Sequence, residues 1–286
     1  MATLRDIKRR IRSVQNTKQI TKAMEMVSAA KLRRSQIRVE KSRPYADKMQ
    51  LILDNLSAAS GVVVHPFFEK REIKKTTLVL ATSDRGLCGS FNHNLIRRAA
   101  SFLSAYDPGV IELVCVGKKG FDYFKKRQYP IVHTINDFSG NLNFTKVREL
   151  SNMLTTRFLS GETDEVHLLF PRFITTTKHR ITVEKFLNIE QEQEEAATGT
   201  LDYIFEPDPA SIYDDLLPRY VLTKIQMALA ESFASEHAAR MIAMGGATKN
   251  AEEMVDHLTL VRNKARQAAI TKELLDIVCG AEALQK

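Results

Sequence analysis

One segment has residue types that could bind a phosphate group. Ser83–Ser90 (SDRGLCGS) contains two glycines and an arginine, and it lies between a strand-like run and a helical run. Glycine-containing turns that open a helix bind phosphates in many α/β proteins, because backbone N–H groups converge there. The positions of Gly86 and Gly89 fit neither the Gly-x-x-x-x-Gly-Lys-Ser/Thr pattern nor the Gly-x-Gly-x-x-Gly pattern. We therefore predict that this loop binds no nucleotide.

Residues that often catalyse reactions or bind metals lack the spacing that such sites need. The seven histidines include no His-Glu-x-x-His pair, and the sequence yields no specific Ser-His-Asp or Cys-His set. The three cysteines are widely spaced, which argues against disulfides or a zinc site and favours a reducing compartment. His237 follows Glu236 on a predicted helix, where we expect a packing or polar contact. The sequence thus predicts no catalytic residue, no metal site and no cofactor.

Positive charge is concentrated at the start of the chain. Residues 1–43 contain thirteen Lys or Arg and three acids, a local charge of +10, so the rest of the +8 chain sums to −2. Such a basic arm favours nucleic acid, anionic lipid or an acidic protein surface as its partner. No aromatic residue precedes Tyr45, which disfavours nucleic acid. Two alternatives stay open here: a coiled-coil protein that binds DNA in a salt-dependent manner, and a nucleotide-dependent α/β enzyme.

The distribution of glycine and proline along the chain predicts which helices and strands position these residues. Residues 1–43 contain neither, and nine of twelve glycines and seven of eight prolines lie between Gly61 and Pro218. This distribution predicts a helix over 1–57 with a bend at Pro44, an α/β domain over 58–208, and a second long helix over 209–286. No apolar run approaches the roughly 18 residues of a membrane span, and the start of the chain does not resemble a secretory signal.

Both long helices carry apolar stripes. In the first, Leu4, Ile7, Ile11 and Val14 are spaced 3-4-3, and the stripe is predicted to shift at Lys18 and to resume at Ile20, Met24 and Val27. In the second, a heptad pattern predicts a coiled-coil seam. The seam positions are Met244, Ala247, Ala251, Met254, Leu258, Val261, Ala265, Ala268, Lys272 and Leu275.

The two helices differ in length, which has a geometric consequence. If they pair as an antiparallel hairpin, residues from about 264 onward have no partner within the chain, and this overhang is roughly 30 Å long. Its many apolar side chains would favour aggregation unless another protein covered them.

The middle of the chain alternates between strand-like and helical runs. We predict strands at Thr76–Thr82, Ile111–Val116, Val166–Phe170 and Ile181–Leu187, and helices at Leu95–Tyr106, Lys118–Lys126 and Phe144–Leu159. This alternation is typical of a mostly parallel sheet covered by helices, a Rossmann-like α/β domain.

Four motifs resemble the gamma subunits of F-type ATP synthases, in order and in spacing. They are ITKAMEMVSAAKLRRSQ (Ile20–Gln36), SDRGLCGSFN (Ser83–Asn92), SEHAARMIAMGGATKNA (Ser235–Ala251) and RQAAITKELLDIVCGA (Arg266–Ala281). The last fits the family signature I-T-x-E-x-x-D-x-x-x-G-A from Ile270 to Ala281.

The resemblance implies a non-catalytic central rotor shaft in a proton-translocating complex, present in one copy. An antiparallel coiled coil would lie inside a ring of three alpha and three beta subunits, above a Rossmann-like domain that contacts epsilon and the membrane c-ring. Rotation of the c-ring would then drive the beta sites through states of different nucleotide affinity. A bacterial type is expected, peripheral to the cell membrane on its cytoplasmic side, with neither nucleic acid nor cofactor.

The resemblance also assigns contact residues. It places residues 22–27 beside an acid-rich lever loop of beta, so the basic arm would have an acidic partner. The expected beta contacts are Arg9, Arg10, Lys18, Lys22, Met24, Arg240, Arg266, Gln267, Thr271 and Glu273. Asp84, Arg85 and Cys88 are expected on a surface loop that faces beta and epsilon, where Cys88 would be an accessible thiol without a catalytic role. The expected c-ring foot comprises Arg43, Tyr45, Tyr203, Phe205 and Glu206.

Overall fold

A computed structural model describes residues 3–60, 65–69, 71–107, 109–138, 140–189 and 209–284. In sequence order, an α/β region with five strands lies between two long helices. The elements are α1 (Leu4–Ser60), a short 3-10 helix (Pro66–Phe68), β1 (Thr76–Ala81), α2 (Phe91–Leu103), β2 (Ile111–Val116), α3 (Lys118–Lys125), β3 (Ile131–Ile135), α4 (Phe144–Leu159), β4 (Glu165–Phe173), β5 (His179–Leu187) and α5 (Pro209–Leu284).

The chain divides into two compact units. The helical unit comprises the residues up to Val27 together with those from Met241 onward, and the α/β unit comprises Ser28–Arg240. The predicted three-part division at residues 57 and 208 stays a prediction. In the described ranges, no helix combines the length and apolar character needed to cross a membrane.

In the helical unit, α1 and α5 pair in opposite directions. Lys18 Nζ lies 2.7 Å from Glu252 Oε1, and the Thr248 hydroxyl donates to the Thr21 hydroxyl at 2.9 Å. A step forward along α1 is therefore matched by a step back along α5, as the predicted antiparallel coiled coil requires.

The seam of α1 keeps its heptad spacing where a shift was predicted. Ile7 and Ile11 are buried, and the spacing continues through Lys18 to the buried Thr21. Ile20 and Val27 are 61% and 57% exposed, so their predicted place in the stripe is wrong. The physical reason is that polar residues of α5 lie opposite and bind the lysine and threonine side chains, which makes this stretch of the seam polar.

The seam of α5 follows the predicted heptad over most of its first half. Met244 and Ala251 are buried, and the half-buried predicted positions are Ala247, Leu258, Val261 and Ala265. The place of Met254 in the seam was wrong, because it is 53% exposed and the neighbouring Val255 is half-buried. The last predicted positions, Ala268, Lys272 and Leu275, are exposed, as expected for a stretch of α5 without a partner in the chain.

The end of α5 is exposed along a dozen consecutive residues. Every residue from 270 to 281 is exposed. The large apolar side chains among them are Ile270, Leu274, Leu275, Ile277 and Val278, each between 49% and 66% exposed. This stretch coincides with the overhang predicted from the unequal lengths of the helices.

In the α/β unit, the strands form one mostly parallel sheet in the order β3-β2-β1-β4-β5. Strands β1 to β4 are parallel, and β5 is antiparallel to β4 at one edge. The four predicted strands are confirmed, with small differences at their ends, whereas β3 was not predicted. Its burial is partial along most of its length, as expected for the opposite edge strand.

Helices cover both faces of this sheet. Alternate residues of β1 face opposite cores: Val79 packs with the core formed by α4 and the parts of α1 and α5 in this unit. Leu78 and Leu80 pack with the core formed by α2 and α3. The fully buried strands β1 and β2 thereby support the loops at the carboxyl ends of the parallel strands, where the candidate site lies.

Candidate functional site

The loop after β1 contains an aspartate that binds backbone amides of two other segments. Asp84 Oδ1 accepts from the N–H of Lys118 at 3.3 Å, at the start of α3, and from the N–H of Asp137 at 3.2 Å. A helix N-terminus attracts anions, and here the anion is a carboxylate of the chain itself. The geometry therefore supports the prediction that this loop does not bind nucleotide phosphate.

Cys88 lies inside this loop and is not accessible. It is 2% exposed, and its sulfur accepts from Asn92 Nδ2 at 3.1 Å. Burial raises the pKa of the Cys88 thiol, so the reactive thiolate is disfavoured. The prediction of an accessible thiol was wrong, because Cys88 packs with Phe91 and Leu95 beneath the loop. Arg85, in contrast, is exposed.

The stretch of α5 opposite this loop is buried on all sides. Every residue from Ala228 to Ala238 is buried, including Glu231, Glu236 and His237. A helix enclosed in this way must satisfy its polar side chains within the protein. The polar groups here therefore define fixed contacts with the surrounding loops.

Arg240 joins α5 to the loop after β1. Its guanidinium donates to the carbonyl oxygens of Arg85 and Gly86 at 3.2 and 3.3 Å, and it pairs with Glu236 at 2.7 Å. Burial raises the pKa of the Glu236 carboxyl, and the neighbouring Arg240 charge opposes that shift. Arg240 itself is only 9% exposed. Its predicted role as a beta contact stays untested, and its observed contacts lie within the chain.

His237 joins α5 to the loop after β3. Its Nε2 lies 2.9 Å from the Gly140 carbonyl oxygen, and Arg240 Nη1 lies 3.4 Å from its Nδ1. The carbonyl needs a donor and the arginine needs an acceptor, so the ring is the neutral tautomer with its proton on Nε2. Burial lowers the pKa of His237 to about 4. The predicted polar contact is confirmed, but the sequence did not identify Gly140 as the partner.

A second buried carboxylate of α5 lies beside a cavity. Glu231 Oε1 accepts from Arg43 at 3.2 Å, and Arg172 Nε lies 3.9 Å from Oε2. Burial raises the pKa of Glu231, and Arg43 and Arg172 oppose that shift. The cavity has a volume of about 490 Å³ and is lined by α1, α5 and the β4–β5 hairpin. Sequence reasoning missed Glu231, because a glutamate within an amphipathic pattern is usually exposed.

Of the predicted c-ring foot, two residues lie in the described ranges. Arg43 forms the ion pair with Glu231, and Tyr45 is 56% exposed. The others, Tyr203, Phe205 and Glu206, lie outside the described residues.

The predicted beta contacts of the helical unit are mostly on its surface. Met24 and Lys18 are half-buried. The exposed members are Arg9, Arg10, Lys22, Arg266, Gln267, Thr271 and Glu273. Arg9 pairs with Asp6 at 3.1 Å, and Lys22 pairs with Glu25 at 3.2 Å. Within the part of the chain that the structure covers, no group of three His, Cys, Asp or Glu residues is placed to hold a metal ion.

The sequence matches known proteins over nearly its whole length. The family model described as "ATP synthase" matches residues 3–284. The ATP synthase gamma chain of Protochlamydia amoebophila is 45% identical over 285 residues, which cover 100% of both chains.

Solved structures also resemble this fold. A chain in the central stalk and c-ring structure of the Tetrahymena thermophila mitochondrial ATP synthase aligns with a TM-score of 0.64 and 27% identity, over 80% of this chain and 99% of that one. A chain of the Euglena gracilis mitochondrial ATP synthase aligns with a TM-score of 0.74 over 98% of this chain and 94% of that one. At 21% identity, this second match shows the fold alone.

Proposed function

This chain belongs to the gamma-chain family of ATP synthases, and on that basis we propose that it is the central rotor shaft of an F-type complex. The single observation that carries the proposal is the exposed end of α5, where five large apolar side chains lie on the surface of the helical unit. Apolar surface of this extent on one helix favours association with another protein. A ring of three alpha and three beta subunits around the helix would bury it.

The basic arm supports the same partner. Arg9 and Arg10 are exposed, and an acid-rich loop of a beta subunit would complement their charge. Single exposed ion pairs contribute about 0–1 kcal/mol, so we attribute this attraction to the whole cluster rather than to one pair. The loop that contains Asp84 and Arg85 would face beta and epsilon, and the foot that contains Arg43 and Tyr45 would face the c-ring.

In the proposed mechanism, rotation of the shaft changes the nucleotide affinity of the beta subunits. One shaft inside a threefold ring presents a different side to each beta subunit, so each catalytic site is held in a different state. Rotation driven by the c-ring then exchanges these states in turn, and the energy is transmitted through differential contacts. The chain itself contributes torque and shape in this proposal, and the catalytic residues belong to the beta subunits. Attachment to the cell membrane on its cytoplasmic side stays a prediction.

Co-assembly tests this proposal directly. The purified chain is mixed with alpha and beta subunits, and the size of the complex and its ATPase activity are measured with and without the chain. We expect an alpha3-beta3-gamma particle whose activity depends on the chain. If no complex forms while alpha and beta are folded, the rotor proposal is wrong.

A matched pair of variants tests the observation on which the proposal rests. Leu274 and Leu260 are exposed leucines of α5, 58% and 62% exposed respectively, and only Leu274 belongs to the apolar end. We expect Leu274→Glu to reduce co-assembly and Leu260→Glu to leave it nearly unchanged. Equal effects of the two substitutions would show that the apolar end is not a specific contact.

A further inference from the structure

The cavity beside Glu231 has the size of a small-molecule site. Its volume of about 490 Å³ lies within the range that such sites occupy. Three elements of the α/β unit enclose it, since α1, α5 and the β4–β5 hairpin all contribute lining residues. Of these residues, only Arg43 was assigned to the c-ring foot. The proposed rotor function therefore leaves most of this cavity without a role.

Part of the cavity wall is apolar and rich in phenylalanine. Phe170 and Phe186 are each 5% exposed, and Phe173 is half-buried. The apolar side chains of this wall include Leu168, Phe170, Phe173, Phe186, Met227 and Ala228. Aromatic rings pack favourably on one another in offset or edge-to-face arrangements, in addition to the apolar area that they bury. This wall therefore favours a ligand with an aromatic body.

One buried polar atom of the wall lacks a hydrogen bond. Among the described residues, Glu231 Oε2 has no hydrogen-bond partner, although the side chain is only 6% exposed. Arg172 Nε lies 3.9 Å away, which is too far for a hydrogen bond. The Phe173 backbone also lies near this carboxyl and lowers its pKa, without meeting hydrogen-bond geometry at Oε2. Buried polar atoms are normally hydrogen-bonded, so this oxygen marks a place for a donor.

The charges around Glu231 restrict the kind of donor that fits. Its carboxylate lies between Arg43, which donates to Oε1 at 3.2 Å, and Arg172. A cationic ligand would meet these two guanidinium groups, and an anionic ligand would meet the carboxylate itself, so the cavity disfavours charge of either sign. A neutral hydroxyl group can donate to Oε2 without either repulsion.

We propose that this cavity binds a small, neutral aromatic molecule that carries a hydroxyl group. The hydroxyl donates to Glu231 Oε2, and the ring packs against the phenylalanine side chains of the wall. Such a ligand touches α1, α5 and the β4–β5 hairpin at once, so its binding stabilises their arrangement. The proposal is independent of the rotor function, because every residue that it uses lies in the α/β unit and no partner subunit takes part.

The test compares two probes that differ in the hydroxyl group. The full chain is titrated into 2-naphthol and, separately, into naphthalene, and the fluorescence of each probe reports binding. Naphthalene is the more hydrophobic of the two, so an apolar cavity without a polar contact would prefer it. We expect 2-naphthol to bind about tenfold more tightly, because a hydrogen bond to a charged acceptor outweighs that preference. Equal affinities, tighter binding of naphthalene or no binding of either probe would each overturn the proposal.

A variant of Glu231 assigns the hydrogen bond to one atom. In Glu231→Gln, Arg43 retains the amide oxygen and an NH2 group replaces Oε2, so the acceptor is lost. We expect the affinity for 2-naphthol to fall about tenfold and that for naphthalene to stay unchanged. The two arginines are 49% and 54% exposed, so water can solvate them in the variant. The control is Glu149→Gln, an exposed residue of α4 outside the cavity, which should bind both probes as the unmodified chain does.

Filling the cavity gives a second, independent measurement. Ala46 is a half-buried lining residue on α1, and Ala46→Phe should abolish the binding of both probes by occupying their space. Ala30→Phe is the control, because Ala30 is exposed on α1 and does not line the cavity. Circular dichroism checks that each variant is folded. Unchanged binding of 2-naphthol to a folded Ala46→Phe or to Glu231→Gln would place the probe elsewhere and overturn the proposal.

Discussion

The imidazole of His237 lies against the backbone of Gly140. A Cβ built on Gly140 would lie 2.4 Å from His237 Cε1 and 2.5 Å from Nε2, and Gly140 has a φ of 71°. The loop after β3 can approach α5 this closely only because residue 140 has no side chain. The contact ties one edge of the sheet to the buried stretch of α5.

Substitution of Gly140 by alanine should therefore destabilise the α/β unit. The left-handed backbone alone should cost about 1 kcal/mol, and displacement of the ring should add about 1–3 kcal/mol. Gly161→Ala is the matched control, because Gly161 has a φ of 75° and open space around its Cβ position. Chemical denaturation measures the free energy of unfolding of both variants. Equal losses of this free energy in the two variants would contradict the proposed steric contact.

The same histidine predicts how stability depends on pH. Its pKa is about 4 in the folded chain and about 6.5 when unfolded, so the unfolded chain binds more protons between these values. Stability from the neutral ring is complete above about pH 6.5 and is lost as the pH falls toward 4, by up to about 3 kcal/mol.

The comparison variant is His237→Gln, whose amide can still donate to the Gly140 carbonyl oxygen but does not titrate. The free energy of unfolding of both proteins is measured from pH 7 to 4. The wild-type curve should fall relative to that of His237→Gln as the pH decreases. Parallel curves would mean that His237 is not held neutral by burial.

Loss of the Asp84 carboxylate should destabilise the carboxyl edge of the sheet. Asp84→Ala leaves the amides of Lys118 and Asp137 without this acceptor, and we expect a loss of about 1–2 kcal/mol, as for a helix cap. Asp84→Asn keeps an acceptor oxygen and should lose less. Thermal or denaturant unfolding measures the stability of both variants. If Asp84→Asn lost as much stability as Asp84→Ala, the capping role of Asp84 would be contradicted.

The basic arm gives a prediction about catalysis in the assembled complex. If Arg9 and Arg10 create electrostatic drag against an acidic loop of beta, Arg9→Gln with Arg10→Gln should raise the ATPase rate, most strongly at low salt. Arg33→Gln with Arg34→Gln, on an exposed part of α1 in the other unit, is the control. An unchanged ATPase rate in the first double variant would refute the drag hypothesis.

Periodicity predicted those parts of the fold where apolar residues alone determine burial. Ile111–Val116 is fully buried and was predicted to the residue, because both faces of a central parallel strand are covered. Spacing failed at Lys18 and Thr21, where the α1 seam is polar, and Ile20 was assigned to it in their place. A hydrophobic pattern cannot show a seam that is held together by hydrogen bonds.

The candidate site was only partly predictable, for a related reason. The sequence identified the loop of Asp84 and Cys88 but not the direction of either side chain. The contacts of His237 with Gly140, and of Arg240 with the carbonyl oxygens of residues 85 and 86, join residues 97 to 155 positions apart in the chain. The sequence cannot predict such pairs, because they form only when the folded sheet brings its loops against α5.

The carboxylate of Asp84 affects whether this fold can bind nucleotides. An α/β sheet with helix N-termini at its carboxyl edge is an architecture that often captures nucleotides. A subunit next to sites that bind and release ATP would be exposed to this ligand constantly. An approaching phosphate would meet a fixed negative charge at the start of α3, where it would otherwise find free amides. The internal carboxylate therefore disfavours the binding of ATP to the subunit that transmits rotation.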